Sequence, residues 1–166
     1  LMVTGSGETG RKVMAAAAQN MTPVTLELGG KSPAVIDPEY PIEKAVERIM
    51  FVKQFNAGQI CTNVDYLFVH ESRLQAFIQA ASVWVQEHVP DIHSKDYTSV
   101  IDERAFQRLV HSLADAEAKG ASLINLNQQE PDAATRKFPL TLVLNSNDEM
   151  EIDTRETFGP ILMVKT

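Results

Sequence analysis

Apolar residues recur at helical spacing in three stretches of the chain. Ile42, Ala45, Val46, Ile49 and Met50 form one stripe. Leu74, Phe77, Ile78, Ala81 and Val85 form a second, and Phe106, Leu109, Val110 and Leu113 a third. Each predicts an amphipathic helix with one face turned to a core. Pro41 opens the first helix, where its missing N–H does no harm. That helix should stop near Asn56-Ala57-Gly58, which leaves Cys61 on a loop or a new element. Ser72 with Gln75 makes a capping-box pattern at the start of the second. The third runs from about Glu103 to Lys119 and is closed by Gly120. A fourth, Ala-rich helix is predicted over Arg11–Gln19. Between the helices lie short β-prone runs at Val24–Leu28, Ala34–Ile36, Tyr66–Val69, Ser122–Asn125, Thr141–Leu144 and Ile161–Val164. Leu1–Thr4 suits the end of a strand, and 127–137 reads as a polar loop. Strands alternating with helices predict an α/β fold with an open, largely parallel twisted sheet and flanking helices. Gly29-Gly30 is the best hinge candidate.

Composition narrows the function more than the fold. The 166 residues are 44% hydrophobic and 22% charged, which excludes a disordered chain, a collagen-like repeat and a small disulfide scaffold. A net charge of -7 argues against nucleic-acid binding, which needs clustered Lys and Arg. No apolar run reaches the ~18–20 residues of a membrane helix. The single cysteine, Cys61, excludes an internal disulfide and a multi-cysteine zinc site. It is compatible with a reducing compartment, and a cytoplasmic location is expected. His70, His88, His93 and His111 show no metal-ligand spacing, so no metal is expected. The chain starts at Leu1 inside an apolar run and stops after Val164-Lys165-Thr166, so it reads as a piece of a longer protein.

Four features are able to carry chemistry, and each has a plainer reading. Gly5-Ser6-Gly7-Glu8-Thr9-Gly10 matches G-x-G-x-x-G. It is either a turn or a loop that offers backbone N–H groups to a phosphate. Glu27 falls where a dinucleotide fingerprint places its ribose-binding acid. It is otherwise a solvent-facing strand residue, or a buried carboxylate tuned upward to act as a general base. Cys61 is either a small buried hydrophobe or a nucleophile exposed by the Gly58-Gln59 turn. Glu156-Thr157-Phe158-Gly159-Pro160 joins an acid, an aromatic and a Gly-Pro turn ahead of the last strand. Lys31 reads as a solvated loop cation.

Taken together these segments resemble the aldehyde dehydrogenase family. Thr22-Pro23-Val24-Thr25-Leu26-Glu27-Leu28-Gly29-Gly30-Lys31-Ser32-Pro33 resembles its glutamate signature, and Phe55-Asn56-Ala57-Gly58-Gln59-Ile60-Cys61 its cysteine signature. Glu156-Thr157-Phe158-Gly159-Pro160 resembles its E-x-F-G-P cofactor motif. Order and separations are family-like, and the likeness spans essentially the whole chain. Val64-Asp65-Tyr66 and the string before Glu27 most resemble the class-3 branch, which includes fatty, aromatic and coniferyl aldehyde dehydrogenases.

The resemblance implies NAD(P)-dependent oxidation of an aldehyde to a carboxylic acid. Cys61 would be the nucleophile that forms a thiohemiacetal and then a thioester. Glu27 would activate the hydrolytic water rather than bind ribose. Gly5 and Ser6 would lie near the pyrophosphate and nicotinamide end of NAD or NADP, with Leu28 and Gly29 near the nicotinamide. Glu156 would bind the nicotinamide ribose hydroxyls, and Phe158 would pack beside the nicotinamide. Residues 1–30 would be the tail of a Rossmann-like cofactor domain, and 31–166 most of the catalytic domain. Gly7 stands where the family more often has threonine, and Thr157 where it often has a bulkier apolar residue. The family's oxyanion asparagine, ribose-binding lysine, adenine pocket and oligomerisation elements lie outside the chain. The 166 residues by themselves are therefore expected to turn over little, and the full-length protein to form a homodimer or homotetramer. Rival readings are a semialdehyde or acyl-transferring member of the family, a non-catalytic interaction or structural module, and a plain nucleotide-binding module built on Gly5–Gly10.

Overall fold

Leu142, Val143, Leu162 and Met163 lie on two neighbouring strands that are buried on both faces. Strands of this kind need helices on both sides of their sheet. The computed structural model describes residues 1–166 and divides into two compact units, Leu1–Gly30 and Lys31–Thr166.

The first unit contains β1 (Met2–Gly5), α1 (Gly7–Ala18) and β2 (Thr25–Leu28), with β1 and β2 paired in parallel. Helix α1 begins at Gly7, four residues before the predicted start. Ser6 supplies the reason. Its hydroxyl accepts the backbone N–H of Thr9 at 3.2 Å and caps the first turn. Gly10 sits against the side chains of Leu26 and Leu28, where an added Cβ would lie 3.1 Å from a Leu28 methyl. The last glycine of the G-x-G-x-x-G run thus serves close packing of helix on strand.

The second unit runs β3 (Ser32–Val35), α2 (Ile42–Gln54), a 3-10 turn (Phe55–Gly58), β4 (Val64–Phe68), a 3-10 turn (Glu71–Arg73), α3 (Leu74–His88), α4 (Glu103–Ala118), β5 (Ser122–Asn125), β6 (Thr141–Leu144), α5 (Glu151–Thr154) and β7 (Ile161–Lys165). The sheet order is β3-β4-β7-β6-β5. All pairs are parallel except β5 with β6. The α/β fold with a mostly parallel open sheet and flanking helices agrees with the sequence reading.

The predicted stripes form the core. Val46 and Met50 of α2 and Phe77, Ala81 and Val85 of α3 pack with Leu67, Leu142, Leu162 and Val164 in one cluster. Phe106, Leu109 and Ala116 of α4 pack with Val143, Ile161 and Met163 in the other. Alternate residues of β6 and β7 divide between these clusters, as strand alternation requires. One local expectation fails. Ser72 is not the cap of a box with Gln75. Instead the ring Nδ1 of His70 accepts the Ser72 N–H at 3.3 Å and also contacts the Ser72 hydroxyl at 2.9 Å. A one-turn 3-10 segment therefore precedes α3.

Candidate active site

Cys61 lies in the link between α2 and β4. Three successive residues there, Asn56, Ala57 and Gly58, have φ values of 53°, 52° and 72°. Left-handed backbone costs a residue with a Cβ roughly 1–2 kcal/mol, so Asn56 and Ala57 need outside support. Gln59 provides much of it. Its amide N–H groups donate to the carbonyls of Asn56 (3.0 Å) and Ser99 (3.2 Å), and its Oε1 accepts the N–H of Ile101 at 2.8 Å. Asn56 Nδ2 donates back to the Gln59 carbonyl at 3.1 Å. A turn closed by Asn63 N–H to the Ile60 carbonyl, 3.0 Å, then presents Cys61 at its tip. Cys61 is exposed and unpaired. Within these 166 residues Cys61 is not a buried hydrophobe.

Gly58 meets the segment that leads into β7. An added Cβ there would lie 2.2 Å from the carbonyl oxygen of Gly159, so the backbones of the cysteine link and the E-x-F-G-P loop touch. Only glycine satisfies both that approach and a φ of +72°. Asn63 is buried beside the contact and donates its Nδ2 to the Gly58 carbonyl at 2.6 Å. Phe158 also has left-handed backbone, φ 43°, and its ring is 38% exposed. Glu156 is half-buried.

Beneath these loops lies a set of buried charges that the sequence reading missed. Asp65, on β4, accepts the Thr157 N–H at 3.0 Å and the Thr157 hydroxyl at 2.6 Å on one oxygen. Its other oxygen pairs with Lys31. Lys31 is no solvated loop cation. It also donates to the carbonyls of Ile152 (2.8 Å) and Arg155 (3.0 Å). The pull is non-local: its partners lie 34 to 124 residues away. Lys53, at the end of α2, is 1% exposed and donates to the Val64 carbonyl at 2.9 Å. A signal for Lys53 existed, because it continues the Val46, Ile49, Met50 stripe into the core face.

Burial lowers the Lys53 pKa from 10.5 to about 7; Asp65 raises it in opposition, Lys31 lowers it further and Glu156 raises it. The folded state thus sheds a proton that the unfolded state keeps between about pH 7 and 10.5. Stability contributed by this group rises as pH rises through that window, and its full cost is present below it. At about 1.4 kcal/mol per unit, the cost is on the order of 5 kcal/mol. Urea unfolding of wild type and Lys53→Met at about pH 6 and about pH 9 checks this. The stability of wild type relative to the variant is expected to improve at the higher pH.

In the first unit, Glu27 is exposed and pairs with Thr4 across the ladder, while Leu28 pairs with Gly5. Within the first unit the Glu27 side chain is thus open to an incoming group. Gly5, Ser6, Glu27, Leu28 and Gly29 gather at the carboxyl ends of β1 and β2, where open α/β sheets bind ligands. In the second unit the arrangement is reversed. Lys31, Cys61 and Glu156 all precede their strands, β3, β4 and β7, at the amino ends. The cysteine link and the E-x-F-G-P loop are brought together there. No cluster of three or more His, Cys, Asp or Glu is placed to hold a metal ion, and no helix is long and apolar enough to cross a membrane.

Comparison with known proteins shows the family and the fold. The family model described as "Aldehyde dehydrogenase family" matches residues 1–166. A Pseudomonas aeruginosa protein named "Probable coniferyl aldehyde dehydrogenase" is 44% identical over 165 residues, covering 99% of this chain and 34% of that protein. Among solved structures, the substrate-bound state of Staphylococcus aureus AldH superposes with a TM-score of 0.88 at 35% identity, covering 99% of this chain and 35% of that one. Betaine aldehyde dehydrogenase from the same organism, in complex with NAD+, gives 0.85 at 29% identity, covering 99% and 34%. The chain spans about a third of the length of the relatives it matches. With a family model matched from end to end and its cysteine and E-x-F-G-P segments joined in one unit, the chain belongs to the aldehyde dehydrogenase family.

Proposed function

We propose that the full-length protein carrying this chain oxidises an aldehyde to a carboxylic acid with NAD or NADP, and that Cys61 is its nucleophile and Glu27 its hydrolytic base. The observation that carries the reading is the presentation of an exposed Cys61 on a braced, strained turn tied to the E-x-F-G-P loop. Strain of this kind clusters at functional sites.

The residues fit a nicotinamide dinucleotide. Ser6 and Gly7 stand at the positive end of a 12-residue helix, a fitting place for a pyrophosphate. Gly5, with no side chain, would let the cofactor come close, and Leu28 and Gly29 would lie near the nicotinamide. Glu156 offers a carboxylate to ribose hydroxyls, and the exposed Phe158 ring offers a flat apolar face. When bound, the cofactor supplies the hydride acceptor. In chemical order, the Cys61 thiolate attacks the aldehyde carbon and a C–S bond forms. Loss of hydride from that carbon leaves a thioester on Cys61. Glu27 takes a proton from water, the hydroxide adds to the thioester carbon, and the C–S bond breaks. The carboxylic acid leaves, Glu27 gives up its proton to solvent, and Cys61 is a thiolate again.

Residues 1–30 are read as the tail of the cofactor domain and 31–166 as most of the catalytic domain. The likeness to a coniferyl aldehyde dehydrogenase supports an aromatic or other apolar aldehyde as substrate class. A cytoplasmic homodimer or homotetramer completes the reading.

The test is product analysis on the full-length protein with a panel of aldehydes including coniferaldehyde. One carboxylic acid per NAD(P)H is the expected result. An acyl group transferred to another acceptor would favour the semialdehyde or acyl-transferring rival, and no reduced cofactor would overturn the reading.

A further inference from the structure

We propose that Asp65 is a positioning residue that couples the turn bearing Cys61 to the loop bearing Glu156 and Phe158, and so governs how firmly the nicotinamide end of the cofactor is held. The inference rests on the dehydrogenase reading above.

Thr157 is the hinge of the argument. It lies between Glu156 and Phe158 and is itself buried. Asp65 takes both its N–H and its hydroxyl on a single oxygen. Its carbonyl accepts from Arg108 Nη1 at 2.7 Å. Every polar group of Thr157 is therefore held by a charged partner, and such bonds are the strong ones. Phe158 follows with φ 43°, a conformation that a bulky residue keeps only when its neighbours hold it. Asp65 fixes that neighbour.

The same carboxylate stands on the strand that follows the cysteine turn. Asp65 is the fourth residue after Cys61, and the Val64 carbonyl between them is held by the buried Lys53. Asp65 is 2% exposed, and Lys31 takes its second oxygen while binding the carbonyls of Ile152 and Arg155 ahead of Glu156. A shift of β4 relative to the E-x-F-G-P loop would therefore break several charge-assisted bonds at once. The amino-end loops are tied to one another through this carboxylate. Thr157, where the family often has a bulkier apolar residue, supplies the hydroxyl that makes the second bond possible.

The experiment is equilibrium titration of reduced cofactor, read by its fluorescence, beside steady-state kinetics on the full-length protein with Asp65→Asn, Thr157→Val, the double variant and Thr157→Ser; the dissociation constant should move with the cofactor KM. A hydrogen bond to a charged group predicts a rise in KM for the cofactor of about tenfold in Asp65→Asn, with KM for the aldehyde within about twofold of wild type. Thr157→Val, the milder change, is expected to raise cofactor KM by about threefold, and Thr157→Ser, which keeps both donors, to restore it. The double variant should be no worse than Asp65→Asn, because both changes remove one interaction. Arg73→Ala is the control for lost stability. Arg73 follows β4 and donates to the carbonyls of Pro38 and Tyr40, which follow β3, so its bonds lie at the carboxyl ends of these strands, opposite the amino-end loops. It should lower the unfolding temperature without moving cofactor KM. An unchanged cofactor KM in both Asp65→Asn and Thr157→Val, or additive losses in the double variant, would overturn the inference while leaving an active wild type. An inactive wild type would instead remove the dehydrogenase reading, and the inference with it.

Discussion

Replacing Cys61 by alanine is expected to abolish aldehyde oxidation in the full-length protein while leaving the fold intact. The loss in kcat should be at least about 10⁴-fold, because the proposed covalent intermediate forms on Cys61, the single thiol of these 166 residues. Stability should change by no more than about 0.5 kcal/mol, because Cys61 is exposed at the tip of a turn and packs in neither core cluster. The supports of that turn come from Gln59, Asn56 and Asn63, and none is touched by the substitution. The contrast separates a nucleophile from a structural cysteine, whose removal would cost stability first. NAD(P)H formation and urea unfolding on the same samples check both halves.

Glu27→Gln is expected to leave formation of the acyl-enzyme largely intact and to slow its hydrolysis. Loss of a positioned general base costs typically about 10²–10⁴-fold in the step it serves. Rapid mixing should therefore show a burst of about one NAD(P)H per active site, followed by a slow steady state. The substitution is nearly isosteric, and Glu27 is an exposed residue of β2 whose ladder pairing with Thr4 uses only backbone. The burst amplitude and cofactor affinity should match wild type. A Glu27 that bound ribose would behave otherwise, with cofactor KM rising and no burst appearing.

Much of the fold, and the meeting of two loops of the candidate site, was legible in the sequence, and the reason is physical. The stripes of α2, α3 and α4 are local periodicities that any core-facing helix must carry, so they mapped onto the two core clusters with little change. Cys61 and the E-x-F-G-P segment were marked by the residues around them, since a strained turn and a close backbone approach demand glycine at Gly58 and a defined turn at Gly159-Pro160. The early start of α1 was missed because a glycine-rich run argues against a helix, whereas the Ser6 cap argues for one. The antiparallel β5 leaves no local trace, because pairing direction is decided by the connection and not by the strand. The helix α5 has only four residues, too few for periodicity.

The charges under the loops were the larger omission. Lys31 follows two glycines and looks like a surface cation, but its partners come from β4 and the segment before β7. Asp65 sits among strand residues, and its bonds to Thr157 span 92 positions. Nothing in a local window reports contacts of that range. Lys53 is the exception, since a lysine on the apolar stripe of a helix breaks the local pattern and so marks itself.

The measurement that bears most directly on the account is the intact mass of the full-length Glu27→Gln protein, quenched in acid shortly after mixing with aldehyde and NAD(P). A mass gain equal to the acyl group, mapped by digestion to Cys61 and missing from Glu27→Gln/Cys61→Ala, is the predicted result. Reduced cofactor accumulating with no acyl group on Cys61 would contradict the mechanism.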